Sequence, residues 1–558
     1  MDDDNVGPLG VDADRAFGAM NQLLDFVVGF LVNIHLFRLS CCQYFTVRPE
    51  QLMDRYHAFN CSSIVNRCWT ILVAFVLCFG ISVSHATGRP NVLMIIVDDM
   101  NDWVGCLGSD RVPTPNIDAL AKRGLLFTNA HAPSPKCAPS RAAILTGRRA
   151  SSTGLYGNGH WWRPAYPDLV TLPHYFKNHS YHVAGGGKVH HHTDGFNPPD
   201  QWDEYFDLIA DQDLVVDYFK RRGEERRFFT DKMPRHPNNS LDWGAMEVDD
   251  MAMGDGHTVR WATEFLARKQ EKPFFLVVGI FQPHLPFYAP RKHFDKVPIE
   301  NVELPINKRG DLDDVPPGGQ EFAANRRKDL RMIEKYGALR RCVQSYLASI
   351  SHADALVGIV MDAFDQSSHR DNTIVVLWSD HGYAFGEKDH FAKDTLWERS
   401  SHVPFIMAVP GVTKPGSRTS RPVDLTCLYP TLTRLCGLPV PADLDGIDVT
   451  PLLKNPDMPW DRPAIIDFLS GNTAIRTEQW RYIRYDEGRA GEELYNLRED
   501  PEEWRNLIGK FPAKVNQLKA WLPGRYADAA PTKKAYRFDK ETYSWTQRDQ
   551  KAKKKNSE

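Results

Sequence analysis

Asn91-Val-Leu-Met-Ile-Ile-Val97, followed at once by Asp98-Asp99, is the stretch on which the fold turns. Its near-continuous apolar run predicts a central strand of a parallel sheet covered on both faces. Adjacent carboxylates at the end of a buried strand repel one another, and a divalent cation is the simplest way to offset that repulsion. A solvated loop is the competing reading of the pair taken alone.

Two further runs share the pattern. Thr373-Ile-Val-Val-Leu-Trp378 leads into Ser379-Asp380-His381-Gly382, and Pro273-Phe-Phe-Leu-Val-Val-Gly279 leads into Gln282-Pro-His-Leu-Pro286. In a doubly wound α/β sheet ligands collect beyond the carboxyl ends of the strands, so Asp98, Asp99, Asp380 and His381 are expected to converge on one ion. Three carboxylates make a hard-oxygen site that favours Ca²⁺, with Mg²⁺ as the alternative, over zinc. The prolines flanking His284 are expected to fix that loop and hold the imidazole in a cleft.

Between the acidic tips lies Cys137-Ala-Pro-Ser-Arg-Ala-Ala-Ile-Leu-Thr-Gly147. It reads as a loop, a proline able to start a helix, and a short helix closed by Gly147, with its amides and positive dipole end turned toward an anion. The four-residue spacing of Cys137 and Arg141 predicts a guanidinium beside the sulfur. Gly185-Gly-Gly-Lys-Val-His-His-His192 lacks the Ser or Thr and the glycine spacing of a nucleotide-binding loop, so a nucleotide site is rejected.

Cys137-x-Pro139-Ser140-Arg141 with Thr146-Gly147-Arg148 resembles the signature of the type I, formylglycine-dependent sulfatases. The resemblance runs from Arg89 to about Leu507. It implies an alkaline-phosphatase-like α/β fold, with a large mixed, mostly parallel sheet flanked by helices and a smaller C-terminal α+β domain. It also implies that Cys137 is oxidised to formylglycine by a formylglycine-generating enzyme and acts on sulfur as a hydrated aldehyde, and that Asp98, Asp99, Asp380 and His381 hold a divalent ion, commonly calcium, that touches residue 137. Lys188, His284 and Lys393 would then bind the sulfate. The family's histidine after Lys188 falls on His190 by one spacing and on His191 by another, and both stand as candidates. Gln282 replaces a family lysine, which implies a less cationic neighbouring subsite.

Asn158-Gly-His-Trp-Trp-Arg163, Leu172-Pro-His-Tyr-Phe-Lys177, the Gly-Lys-x-x-His spacing and Asp380-His381 resemble the iduronate 2-sulfatase branch. That implies removal of 2-O-sulfate from a uronic acid or related sugar of a sulfated polysaccharide. An algal-type galactan or fucan sulfate is the alternative. A phosphoester or phosphonate hydrolase of the same superfamily would be expected to lack the intact Cys-x-Pro-Ser-Arg.

Composition sets the remaining bounds. The 558 residues are 42% apolar and 25% charged, enough for a large core. A net charge of -3 argues against a nucleic-acid-binding face. Residues 1–86 read as a leader: Asn66-Arg-Cys68, the apolar run 69–83, and Ser84-His-Ala86 resemble a secretory signal, short for an anchor. An exported, periplasmic, secreted or lysosome-like location without stable membrane association is therefore expected, and a start at Met53 would make residues 1–52 an over-long gene model. The catalytic domain is placed at 87–455, a C-terminal subdomain at 456–545, and a basic disordered tail at 546–558. The stretches 202–254 and 311–328 read as insertions or loops. Tyr346 to Phe364 reads as a structural helix with Asp354 as a cap or charge partner. Cys427 and Cys436 would lie ~13 Å apart on a helix, too far to bridge.

Overall fold

The computed structural model describes residues 88–224, 229–230, 233 and 241–548. The leader at 1–86 and residues 549–558 of the expected tail therefore lie outside the described residues.

Eight strands form the main sheet: β1 (Asn91–Val97), β2 (Leu125–Phe127), β3 (His182–Gly187), β4 (Glu204–Phe206), β5 (Phe274–Ile280), β6 (Thr373–Ser379), β7 (Phe405–Ala408) and β8 (Ser417–Thr419). Their order is β8-β2-β7-β6-β1-β5-β3-β4. β1 pairs in parallel with β5 and β6, and β3 pairs in parallel with β5 and β4. β7 runs antiparallel to β6 and β2, so the sheet is mixed but mostly parallel.

The residues of β1 explain its central place. Leu93, Ile95 and Val97 point into one apolar cluster, while Val92, Met94 and Ile96 point into another, and all six are fully buried. Such a strand is sandwiched between two helical layers, as its unbroken apolar run requires. Each aliphatic side chain so buried contributes about 1.5–3 kcal/mol of transfer free energy. On the first face lie helices from α1 (Pro115–Ala121) and, later in the chain, 254–267 and 339–366. On the second lies α2 (Cys137–Thr146) through Ile144 and Leu145.

Calling Gly254–Ala267 α3 and Leu339–Gln366 α4, the helix expected around 346–364 is α4. It is long and apolar enough to cross a membrane, but its apolar window is 78% buried in the core. Asp354 on α4 accepts from the amides of Asn116 and Ile117 at 3.0 and 2.8 Å, so it caps the neighbouring α1 rather than its own helix.

The described residues of 202–254 carry more regular structure than the composition suggests. They supply the edge strand β4, a helix at Asp211–Arg221 and a short strand at Trp243–Met246. Three- and four-residue strands are too short to show a period. Likewise 311–328 contains the whole of a helix at Pro317–Asn325 and the start of another at Arg327–Lys335.

A four-stranded antiparallel sheet follows: β9 (Ala464–Asp467), β10 (Thr473–Arg476), β11 (Trp480–Arg484) and β12 (Glu492–Asn496). It belongs to the same compact unit as the main sheet. A last hairpin, β13 (Tyr536–Asp539) with β14 (Ser544–Gln547), crosses the 545/546 boundary read from sequence, so residues 546–547 are strand rather than tail. The five described cysteines are free.

Candidate active site

The register of the sheet gathers the site. Val97 stands opposite Ser379 on one side and Ile280 on the other, and Gly187 stands opposite Gly279. Asp98, Asp380, Lys188 and the His284 loop therefore leave the sheet at one level, at the carboxyl ends of adjacent strands. Asp99 turns back with φ of +56°, and its amide donates to Asp380 Oδ1 at 3.0 Å. Gly187, at φ +71°, has Gly279 O where a Cβ would sit; the glycine run serves close strand packing, not phosphate binding.

Ligand atoms of Asp98, Asp99, Cys137, Asp380 and His381 all lie within 4.8 Å of one another and all five residues are buried. Cys137 opens α2, which ends at Gly147 with φ of +68°, as its sequence indicates. Cys137 Sγ lies 3.1 Å from Lys393 Nζ and 3.2 Å from His381 Nε2, with Asp99 Oδ1 at 4.0 Å.

Arg141 stands close enough to Cys137 to interact with its charge, as the spacing predicts, but its hydrogen bonds go elsewhere. Its guanidinium is not spent on the sulfur: Nε donates to Asp380 Oδ2 at 2.8 Å, Nη2 to Asp98 Oδ1 at 2.9 Å, and Nη1 to the carbonyls of Lys188 and Val189 at 2.5 and 2.9 Å. Four buried acceptors in a fan suit the planar fork and outcompete a thiol. The cation nearest the sulfur is Lys393, whose Nζ also donates to both oxygens of Asp99 at 2.6 and 2.8 Å. Lys188 pairs with Asp98 Oδ2 and sits over the Phe281 ring.

Electrostatics follow from this layout. Burial would raise the Asp98 pKa, but Lys188 and Arg141 overcome it and hold the carboxyl well below the usual range. Asp99 is pushed up by burial despite Lys393 and His381. Burial, then Lys188 and Lys393, hold His284 well below the ordinary imidazole value, so it is neutral as the site stands.

His284 Nδ1 is engaged by Leu285 O, leaving Nε2 4.0 Å from Asp99 Oδ2. Both flanking prolines follow cis bonds. Gln282 faces away from the cleft: it is fully buried and donates to Asp211 Oδ2 and Pro286 O at 3.2 and 3.3 Å. In this chain the position thus serves the loop's internal hydrogen bonds.

The structure separates the two candidate histidines. His190 shares hydrogen bonds with the Gln201 amide, stacks on Trp162 with centroids 6.1 Å apart, and is pushed down to about 3 by burial. His191 lies among His192, Lys188, Asp98 and Lys393, and burial holds it well below its ordinary value. Sequence reasoning passed over His192, which is exposed and edge-on to His284 at 5.8 Å. It named Asn158 only within a branch motif and not as a site residue, yet the Asn158 Oδ1 accepts from the Ala138 amide at 3.0 Å beside residue 137.

The assembled atoms suit a hard divalent cation through three carboxylates, and a tetrahedral oxyanion through two lysines and neutral imidazoles. A family model described as Sulfatase matches residues 90–438, and one described as N-sulphoglucosamine sulphohydrolase, C-terminal, matches residues 386–525. A sulfatase of Formosa agariphila is 36% identical over 466 residues, 79% of this chain and 88% of its own. Human iduronate 2-sulfatase is 32% identical over 423 residues, 67% of this chain and 74% of its own. In fold, the phosphonate monoester hydrolase of Agrobacterium radiobacter is similar at a TM-score of 0.65 and 21% identity, covering 83% of this chain and all of that one.

Proposed function

The chain belongs to the sulfatase family and is a sulfuric ester hydrolase, and from that premise we propose that it removes 2-O-sulfate from a uronic acid or related sugar of a sulfated polysaccharide. The observation that carries the proposal is the convergence of Cys137, Lys393, Lys188 and His284 on one buried cluster of carboxylates. The human relative is named for iduronate 2-sulfate, which supports this substrate class, while an ulvan-active sulfatase of Formosa agariphila at 30% identity keeps an algal polysaccharide sulfate as the alternative.

As formylglycine, made by a formylglycine-generating enzyme, residue 137 would supply a hydrated aldehyde with one hydroxyl for attack on sulfur and a second through which sulfate departs. The residues that would hold a calcium or magnesium ion are Asp98, Asp99, Asp380 and His381, and its chemistry there is that of a Lewis acid beside residue 137.

The chain's own groups do the rest. Lys188 and Lys393, both on flexible stems, stand ready to exchange a carboxylate for sulfuryl oxygens and to neutralise the charge that grows on them. Arg141 fixes Asp98 and Asp380 relative to each other and to the start of α2, so attack begins from a set geometry. His284, neutral with its Nδ1–H donating to Leu285 O, presents an unprotonated Nε2 to the cleft, where it can take up a proton and, only once protonated, hand it to the leaving alcohol. His191, nearer the charged groups than His190, is assigned the assistance of sulfate release. Export is part of the same reading, from the 69–83 run.

Peptide mass spectrometry across residues 132–148 of protein from its native host, paired with desulfation of a 2-O-sulfated uronate, tests the proposal. Loss of sulfur from residue 137 and release of sulfate are expected. An unmodified thiol on folded, exported protein that releases no sulfate would promote a phosphoester or phosphonate reading instead.

A further inference from the structure

The C-terminal hairpin β13-β14 begins eleven residues past the last matched residue, 525, so neither matched family model accounts for it. It is nevertheless tied to the catalytic unit. Phe538 and Trp545 pack on Trp161 with centroids 5.6 and 6.5 Å apart, and the Asn197 amide donates to Tyr543 Oη at 3.0 Å. Its tip reaches a cavity of about 560 Å³ whose walls include His191, His192, Asp194, Asp207, Lys540 and Tyr543.

The position of this cavity matters. It opens at the carboxyl ends of β3 and β4, next in the sheet to the strands that carry the site. His192 is shared: it lines the cavity and meets His284, whose Nε2 faces Asp99. A sulfate ester bound at residue 137 would thus have the rest of its polymer leaving past His192 into a space of the size that holds small ligands.

Its chemistry is mixed rather than cationic. Asp194 and Asp207 are exposed acceptors suited to sugar hydroxyls, and Lys540, with its side chain 77% exposed, is held only loosely by Asp194 at 3.4 Å. Surface pairs of this kind are worth little and exchange readily for a better anion.

We infer that the hairpin completes a second sugar subsite, in which Lys540 binds the carboxylate or sulfate of the residue next to the one being desulfated. The inference rests on the sulfatase reading for the identity of the first sugar, but the subsite makes its own claim: a preference for polyanionic chains over small sulfate esters.

The test uses the full chain and two readouts. Binding of a size-defined heparin tetrasaccharide is measured by calorimetry, and turnover is measured on 4-nitrophenyl sulfate. Lys540→Ala is expected to weaken tetrasaccharide binding about five- to tenfold, with Lys540→Arg restoring it, and to leave aryl sulfate turnover unchanged. Absent tetrasaccharide binding by the wild type, unchanged binding by Lys540→Ala, or an equal loss on both readouts overturns the subsite. Wild-type protein with residue 137 converted to formylglycine that binds the tetrasaccharide through Lys540 but removes no 2-O-sulfate would keep the subsite and remove the 2-O-sulfouronate reading.

Discussion

Lys136 Nζ lies 2.8 Å from Asp394 Oδ1, joining the residue before the nucleophile position to the residue after Lys393. The two loops are also stitched by the Asp394 amide, which donates to Pro135 O at 3.1 Å. Ala392 and Asp394 both have left-handed backbone, φ +75° and +84°, so Lys393 sits on a segment that holds its shape only while its neighbours hold it. Asp394→Asn tolerates that φ but loses the charge, and should cost about 1–3 kcal/mol. Asp394→Ala should cost about 1 kcal/mol more for the backbone. Both should lower kcat/KM roughly tenfold by letting Lys393 drift from residue 137. Urea unfolding with parallel kinetics checks this; a stability loss with unchanged kcat/KM would confine the pair to a structural role.

Arg141 is the joint of the site, since one guanidinium holds Asp98, Asp380 and two carbonyls after β3. Lysine keeps the charge but offers one nitrogen in place of a fork. Arg141→Lys should therefore reduce kcat/KM by about 10²-fold, mainly through kcat, because the carboxylates lose their mutual position while the sulfate-binding lysines remain. Near-normal kcat in a folded Arg141→Lys variant would show that the two carboxylates are fixed by something else.

If Asp98, Asp99, Asp380 and His381 hold a divalent ion, the ion must stabilise the fold as well as serve the chemistry. Calcium at about 100 times its dissociation constant should add roughly 2.7 kcal/mol. Protein stripped with chelator should melt lower, recover with Ca²⁺, and respond less to Mg²⁺, which demands near-octahedral geometry and gives up its waters reluctantly. Asp380→Asn should lose most of the calcium response. Identical melting with and without chelator would argue that the cluster is neutralised by its lysines alone.

Much of this site is written in local sequence. The buried strands β1, β5 and β6 carry their own burial signature, and the residues just past them, Asp98, Asp99 and Asp380, owe their meeting to sheet topology that such strands strongly constrain. The cysteine helix was legible from Cys137 to its glycine stop. What local patterns could not show was competition between partners. Arg141 is four residues from Cys137, yet two distant carboxylates take its guanidinium, and Gln282 is adjacent to the cleft loop, yet Asp211 turns it inward. Long-range hydrogen bonds of this kind leave no period in the chain. The same holds for β4, three residues long, and for the hairpin β13-β14, whose aromatic pairs have meaning only against Trp161.

A last expectation concerns pH, away from the metal-binding atoms. Asp102 pairs with Arg399 and receives a hydrogen bond from His402 Nδ1 at 3.3 Å. Burial opposes its charge, yet Arg399 and His402 hold its pKa down at about 2, while His402 is raised by Asp102 against the burial that would lower it. A depressed carboxyl contributes stability above its unfolded value near 4 and loses it as pH falls toward 2; a raised imidazole contributes below its unfolded value near 6.5 and loses it as pH rises through its folded value. The two windows overlap between about pH 4 and about pH 6.5. Asp102→Asn should therefore be less stable than the wild type by about 2 kcal/mol in that interval, with the gap narrowing on the acid side as Asp102 protonates and partly on the alkaline side, where Arg399 still pairs with Asp102. Urea midpoints at pH 3, 5.5 and 8.5 measure the gap, and one that is the same at all three would break the link between this pair and the stability profile.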